Sequence, residues 1–158
     1  MRVLIAAVGR LKDGAETVLV DRYMERLAPR IAGLGPIAIS EIPEARQGGA
    51  AARKHDEAER LLRAAAKADF RIALDERGKA LSSDAFAKLL GRKRDDGITT
   101  LAFLIGGPDG HGKAATDAAD LTLSLGPMTL PHGLARVVLA EQIYRAATIL
   151  SGHPYHRA

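Results

Sequence analysis

A chain of 158 residues, 47% hydrophobic and 27% charged, has the length and composition of one globular domain and not of a disordered tail. It contains no cysteine, which excludes disulfides, zinc–thiolate sites and a thiol nucleophile and fits a reducing compartment. The net charge of +4 favours polyanions only weakly, and with 4% aromatic residues and no tryptophan an open platform for stacking single-stranded bases is not expected.

Taken in chain order, apolar runs alternate with helical periodicities. Val3–Val8, closed by Gly9, is too short and too poorly flanked for a signal peptide and reads as a first strand. No stretch approaches the ~18 apolar residues of a membrane span, so a cytoplasmic protein is expected. Residues 16–26 repeat at helical spacing, with Val18, Leu19, Tyr23 and Leu27 on one side. Residues 37–42 alternate as a strand, Gln47-Gly48-Gly49 breaks the chain, and a strong helix follows from Ala50 to about Ala66. Phe70–Leu74 is a short buried strand, after which Asp75–Lys79 is expected to be a loop. Ser82 or Ser83 caps a helix reaching Leu90, and Arg92-Lys93-Arg94 beside Asp95-Asp96 reads as a solvated helix end. Residues 99–105 form the most strand-like segment, ending at Gly106-Gly107-Pro108. A short helix near 114–119, a strand at 121–125 and a long helix over 133–150 complete the pattern. Such alternation predicts an α/β fold with a mostly parallel sheet covered on both faces. No linker, repeat or low-complexity stretch interrupts it, so residues 1–158 are expected to form one domain.

Gly107-Pro-Asp-Gly-His-Gly112-Lys113 satisfies most of a phosphate-binding P-loop, yet Ala114 stands where the magnesium-binding hydroxyl belongs. The motif also falls late in the chain, and no downstream strand ends in a metal-holding acid. The dinucleotide fingerprint is absent, because Ala115 occupies the place of its third glycine. A tight turn out of a central strand is the better reading.

Three features of the C-terminal third exceed what packing needs. Gly106-Gly107-Pro108 lets backbone approach a ligand at a strand's C-terminal end, where open α/β sheets place their sites. The loop from Leu125 to His132 is apolar and carries two prolines, suited to walling an adenine pocket. The chain then ends in His153-Pro-Tyr-His-Arg157, a dense polar set where ends usually fray. Each has a plainer alternative: a crossover loop, a capping His132, a surface pair of Glu141 and Arg145 one helical turn apart. Metal binding by His153 and His156 is not expected, since Pro154 spoils their helical presentation.

The segments LIGGPDG (104–110), LSLGPMTLPHGLARVVLAEQIYRA (123–146) and HPYHR (153–157) resemble the ribosomal RNA large subunit methyltransferase H family, of the SPOUT superfamily of knotted methyltransferases. The similarity runs along nearly the whole chain, including VLIAAVGRLKDG and ISEIPEAR. The resemblance implies a homodimer without metal that transfers methyl from S-adenosylmethionine to N3 of pseudouridine 1915 in 23S ribosomal RNA, in the large subunit or whole ribosome. It implies a deep trefoil knot at the C-terminal end. By the family pattern, cofactor contacts fall on Leu74, on Gly106 and Gly107, and on Leu125, Gly126, Pro127, Met128, Thr129 and Leu130. The chain departs from that pattern at Gly126–Met128 and at His111-Gly112-Lys113.

The sulfonium methyl is already activated, so the task is to align nitrogen, methyl and sulfur. The imide proton on N3 must leave first, which calls for a base or a cation beside the ring. His156 and Tyr155 are the candidates near that proton, Arg145 near developing negative charge, with Glu141 in support. His132, His153 and Arg157 are candidate RNA contacts. Two further readings stay open: a knotted methyltransferase acting on transfer RNA, and a non-catalytic ribosome-associated factor of the same fold.

Overall fold

A computed structural model describes residues 1–156, the side chain of His156 excepted. Five strands form one sheet, all parallel, in the order β2-β1-β4-β3-β5. They are β1 (Arg2–Val8), β2 (Ile37–Ile42), β3 (Phe70–Ala80), β4 (Thr100–Ile105) and β5 (Leu121–Ser124). The helices are α1 (Ala15–Leu27), α2 (Ala50–Ala64), α3 (Ser83–Asp95), α4 (Lys113–Asp117) and α5 (His132–Ser151), with a 3-10 turn at Pro154–His156.

Alternation of side chains along β1 and β4 sorts the helices onto two faces. Val3, Ile5 and Ala7, with Leu101, Phe103 and Ile105, pack under α1, α3 and α5 through Leu27, Leu90, Leu139 and Ile143. Ala6, Val8, Ala102 and Leu104 face α2 through Leu61 and Ala65. Both faces are covered, which is why the central strands read as unbroken apolar runs.

Three expectations are corrected by packing. On α1 the inward residues are Val20, Tyr23, Met24 and Leu27, whereas Val18 is 59% exposed. The stripe follows the i, i+3, i+4 and i+7 positions starting from Val20. α3 continues past Leu90 to Asp95: Ser82 Oγ caps it by accepting from the Ala85 N–H at 3.2 Å, and Arg92, Lys93 and Arg94 sit favourably at the negative end of its dipole. Asp75–Lys79 is not simply a loop. β3 runs on to Ala80, and its pairing with β5 slips, so that Leu74 and Lys79 both stand opposite Leu123. The intervening residues form an outward excursion that Gly78 closes; a Cβ there would lie 2.6 Å from the Leu123 carbonyl carbon. Only glycine lets the two backbones pass that closely.

Candidate cofactor and RNA site

The C-terminal ends of β4, β3 and β5 are neighbours in the sheet, so the turn after β4, the excursion of β3 and the loop after β5 converge. They enclose a cavity of about 680 Å³. Leu74, Gly106, Gly107, Leu125, Gly126, Met128, Thr129 and Leu130 all line it; Pro127 does not. Met128 hangs at its rim, 79% exposed. His132, the candidate RNA contact, also lines this cavity, because α5 starts there and its imidazole packs beside Gly9 and Glu44.

The turn after β4 is held from below by α2. Gly110 N–H donates to the Gly107 carbonyl at 2.9 Å, closing the turn. Arg53 grips Asp109 Oδ2 through Nε at 2.9 Å and Nη2 at 2.8 Å, and also donates to the Gly48 carbonyl. One turn on, Glu57 is 4% exposed; its Oε1 accepts from the Ala45 N–H while Oε2 has no protein partner. A Cβ on Gly107 would lie 2.8 Å from that Oε2 and 3.0 Å from Val8 Cγ1. The glycine is therefore required by the floor of the turn, not only by a ligand above it. Lys113 points away: it is 85% exposed and paired with Asp117 at 2.6 Å, outside the cavity lining. The apparent P-loop thus presents no lysine to the cavity, as its missing hydroxyl implied.

Two residues of this region escaped the sequence reading as site residues. His111 lines the cavity between the ends of β3 and β4. Its Nε2 lies 3.0 Å from the Leu104 carbonyl, and Nδ1 is buried without a partner. Burial pushes the imidazole below its ordinary value of 6.5, against the Leu104 carbonyl, Asp75 and the Leu74 carbonyl, which favour the cation. The neutral ring donates from Nε2 to Leu104. Since the folded pKa lies below the unfolded one, the unfolded chain takes up the proton first, and stability falls as pH drops through 6.5 toward the folded value. The denaturant midpoint of the wild type is expected to decline between about pH 7 and pH 5.5 more steeply than that of His111→Gln. Parallel curves would show that His111 does not contribute.

Arg136 is the second. It is 0% exposed, although Leu134 two residues earlier is 43% exposed. Its guanidinium donates to Glu41 Oε1 at 2.8 Å and to the carbonyls of Val8, at 2.8 Å, and Gly9. It pins the start of α5 to the ends of β1 and β2. Burial draws its pKa down, opposed by Glu41. Surrounded by apolar letters in LARVVLA, it carries no local signal of that role.

The tail residues gather elsewhere. Arg145 Nε donates to Glu141 Oε1 at 2.8 Å, and the Tyr155 hydroxyl lies 3.4 Å from the same oxygen. The Arg145 guanidinium sits 5.3 Å from the Tyr155 ring, which packs edge-on against Tyr144 at 4.7 Å. Burial, then neighbouring Tyr23 and Glu141, push the Tyr155 phenol up to about 12 against the pull of Arg145. His153 is exposed and accepts through Nδ1 from the Tyr155 N–H. The assignments to Arg157 and to the His156 side chain lie outside the described residues. None of Glu141, Arg145 and Tyr155 lines the cavity of its own chain. Glu141 is nine residues along α5 from His132, about 13 Å of helix.

A family model described as "Predicted SPOUT methyltransferase" matches residues 1–156. The chain is 54% identical over 161 residues to the ribosomal RNA large subunit methyltransferase H of Brucella anthropi, covering all of both chains. It is 53% identical over 159 residues to that of Rhizobium etli, covering 99% of each. A probable methylase family protein from Haemophilus influenzae shares the fold with a TM-score of 0.53 at 11% identity, over 99% of this chain and 70% of the other. One from Neisseria gonorrhoeae does so with a TM-score of 0.53 at 13% identity, over 90% and 80%. With full-length similarity at this level, and with its glycine turn and apolar loop meeting at one cavity, the chain belongs to the ribosomal RNA large subunit methyltransferase H family of SPOUT methyltransferases.

Proposed function

We propose that this chain is a cytoplasmic, S-adenosylmethionine-dependent methyltransferase that modifies N3 of pseudouridine 1915 of 23S ribosomal RNA in the large subunit or whole ribosome. It acts as a homodimer of one-domain subunits spanning residues 1–158. The observation that carries the reading is the cavity at the ends of β3, β4 and β5, where eight of the nine residues implied by the family pattern converge. Its size falls within the roughly 300–1,000 Å³ of small-molecule sites. A glycine turn offers main-chain groups on one side, and the Leu125–Leu130 loop offers apolar cover on the other. S-adenosylmethionine bound there supplies an activated methyl on a sulfonium. Leu74, Gly106, Gly107, Leu125, Gly126, Met128, Thr129 and Leu130 would hold it, with His132 lining the cavity beside Gly9 and Pro127 stiffening the loop.

Tyr155 keeps its proton at neutral pH because its pKa stands near 12. It therefore serves as a hydrogen-bond donor, and His156 is the better candidate for taking the N3 proton. Arg145, next to Glu141, offers a cation to the negative charge that develops on the ring as that proton leaves. The cluster lies away from the cavity of its own chain, which favours a dimer in which one subunit's tail serves the other's cofactor. A deep trefoil knot at the C-terminal end belongs to the same reading, and the close backbone passage of Gly78 against Leu123 is compatible with such threading.

Mass spectrometry of 23S RNA, after ribosomes are incubated with enzyme and S-adenosylmethionine, tests the activity; no mass gain at the target pseudouridine would refute it. Tyr155→Phe is expected to leave cofactor affinity unchanged in calorimetry. Turnover on ribosomes should fall roughly ten- to a hundredfold, the worth of one hydrogen bond to a charged group. Unaltered turnover would remove Tyr155 from the machinery.

A further inference from the structure

We propose that a basic groove between β3 and α3 is a docking track for the sugar–phosphate backbone of RNA flanking the methylated base. The proposal rests on the methyltransferase reading above and adds a surface that the cofactor site does not contain. The groove encloses about 520 Å³ and is lined by Lys79, Lys88, Arg92 and Arg94, against one carboxylate, Asp95. Arg94 is spoken for: it binds Asp95 and donates to the Ala32 carbonyl. Lys79, Lys88 and Arg92 are exposed and carry no side-chain hydrogen bond or ion pair among the described residues.

Lys88 and Arg92 stand one turn apart on α3, a like-charge pair that weakens an isolated helix. An anionic partner reverses that penalty. Lys79 joins them only because β3 returns to β5 after its excursion, bringing it opposite Leu123. Of the chain's net charge of +4, the groove's cations exceed its carboxylate by three. Apart from Gly91 its remaining lining is aliphatic, and among the described residues no aromatic side chain lines it, so bases have nothing to stack on and contact falls to phosphates, independent of sequence. The groove also leads to the chemistry. It shares Leu81 with a pocket of about 310 Å³, which in turn shares Leu125 and Gly126 with the cofactor cavity.

The test is the triple variant K79A/K88A/R92A, whose exposed substitutions should leave the melting temperature unchanged. We expect KM for ribosomes to rise tenfold or more, with kcat at saturation and S-adenosylmethionine affinity preserved. The slope of log affinity against log salt should fall by about two to three, since each phosphate contact contributes roughly 0.7–0.9. K79R/K88R/R92K should keep both. Each single alanine variant should remove about one unit of slope, which decides the matter should the triple variant fold poorly. Unchanged KM and salt slope would overturn the proposal while leaving the activity intact. Weaker ribosome binding with unaltered binding to naked 23S RNA would assign the groove to a ribosomal protein, and overturns it too. If the wild type methylates no ribosomes, the activity reading fails, and naked-RNA binding still judges the groove.

Discussion

Arg136→Ala is expected to destabilise the fold by about 3–5 kcal/mol, the cost of breaking a buried charged contact and leaving its partners unpaired. The guanidinium is 0% exposed and meets two main-chain carbonyls and the Glu41 carboxylate. Alanine leaves both carbonyls without a donor, and opens a void the length of the lost side chain. Glu41 is less affected, since it keeps the Leu11 N–H at 2.8 Å and some solvent. For a chain of this size the melting temperature should fall on the order of 10 °C. Denaturant unfolding monitored by circular dichroism checks the value, and a loss below about 1 kcal/mol would mean the helix start is held by other contacts. Because Arg136 ties the start of α5 to the end of β1, His132 and Leu130 should shift with it. Cofactor affinity is therefore expected to weaken even at temperatures where the variant stays folded.

Gly107→Val is expected to abolish cofactor binding, at least a hundredfold in Kd, for a reason that lies underneath the cavity. The added Cβ would meet the Glu57 carboxylate at 2.8 Å and Val8 at 3.0 Å. Glu57 cannot readily yield, since its other oxygen holds the Ala45 N–H and the side chain is buried. The turn must rise into the cavity instead, and a branched side chain adds to the displacement. Calorimetry with S-adenosylmethionine measures the loss, and circular dichroism confirms that the sheet persists. Glu57→Gln/Gly107→Val should bind no better, whereas Glu57→Ala/Gly107→Ala should recover part of the affinity by vacating the contested space. Wild-type affinity in Gly107→Val would show that the turn can move without consequence.

Much of this molecule is legible in its letters. The five strands and the longer helices follow from apolar runs and 3.6-residue spacing, because both patterns are short-range and repeat several times. Gly106-Gly107 and the Leu125–Leu130 loop stood out because tight turns at strand ends demand specific residue types, and the structure brings them to one cavity. The excursion of β3 was hidden, since Asp75–Lys79 looks like any polar loop and its return to β5 depends on a glycine passing Leu123, dozens of residues away.

The sequence by itself determined an alternating α/β chain, a glycine turn and an apolar loop suited to a small cofactor, and a polar tail with Tyr155. The tertiary structure decided what those parts stand on. Arg136 binds carbonyls 127 and 128 positions away, Glu57 fills the space Gly107 leaves, and the His111 ring folds back on the Leu104 carbonyl at the end of β4. Lys79, Lys88 and Arg92 become one surface only when β3 folds back beside α3. Periodicity encodes which face of an element is buried, and it is a local property. Burial of a charge is worth its cost only when distant partners arrive, and where they arrive is set by the order of strands in the sheet.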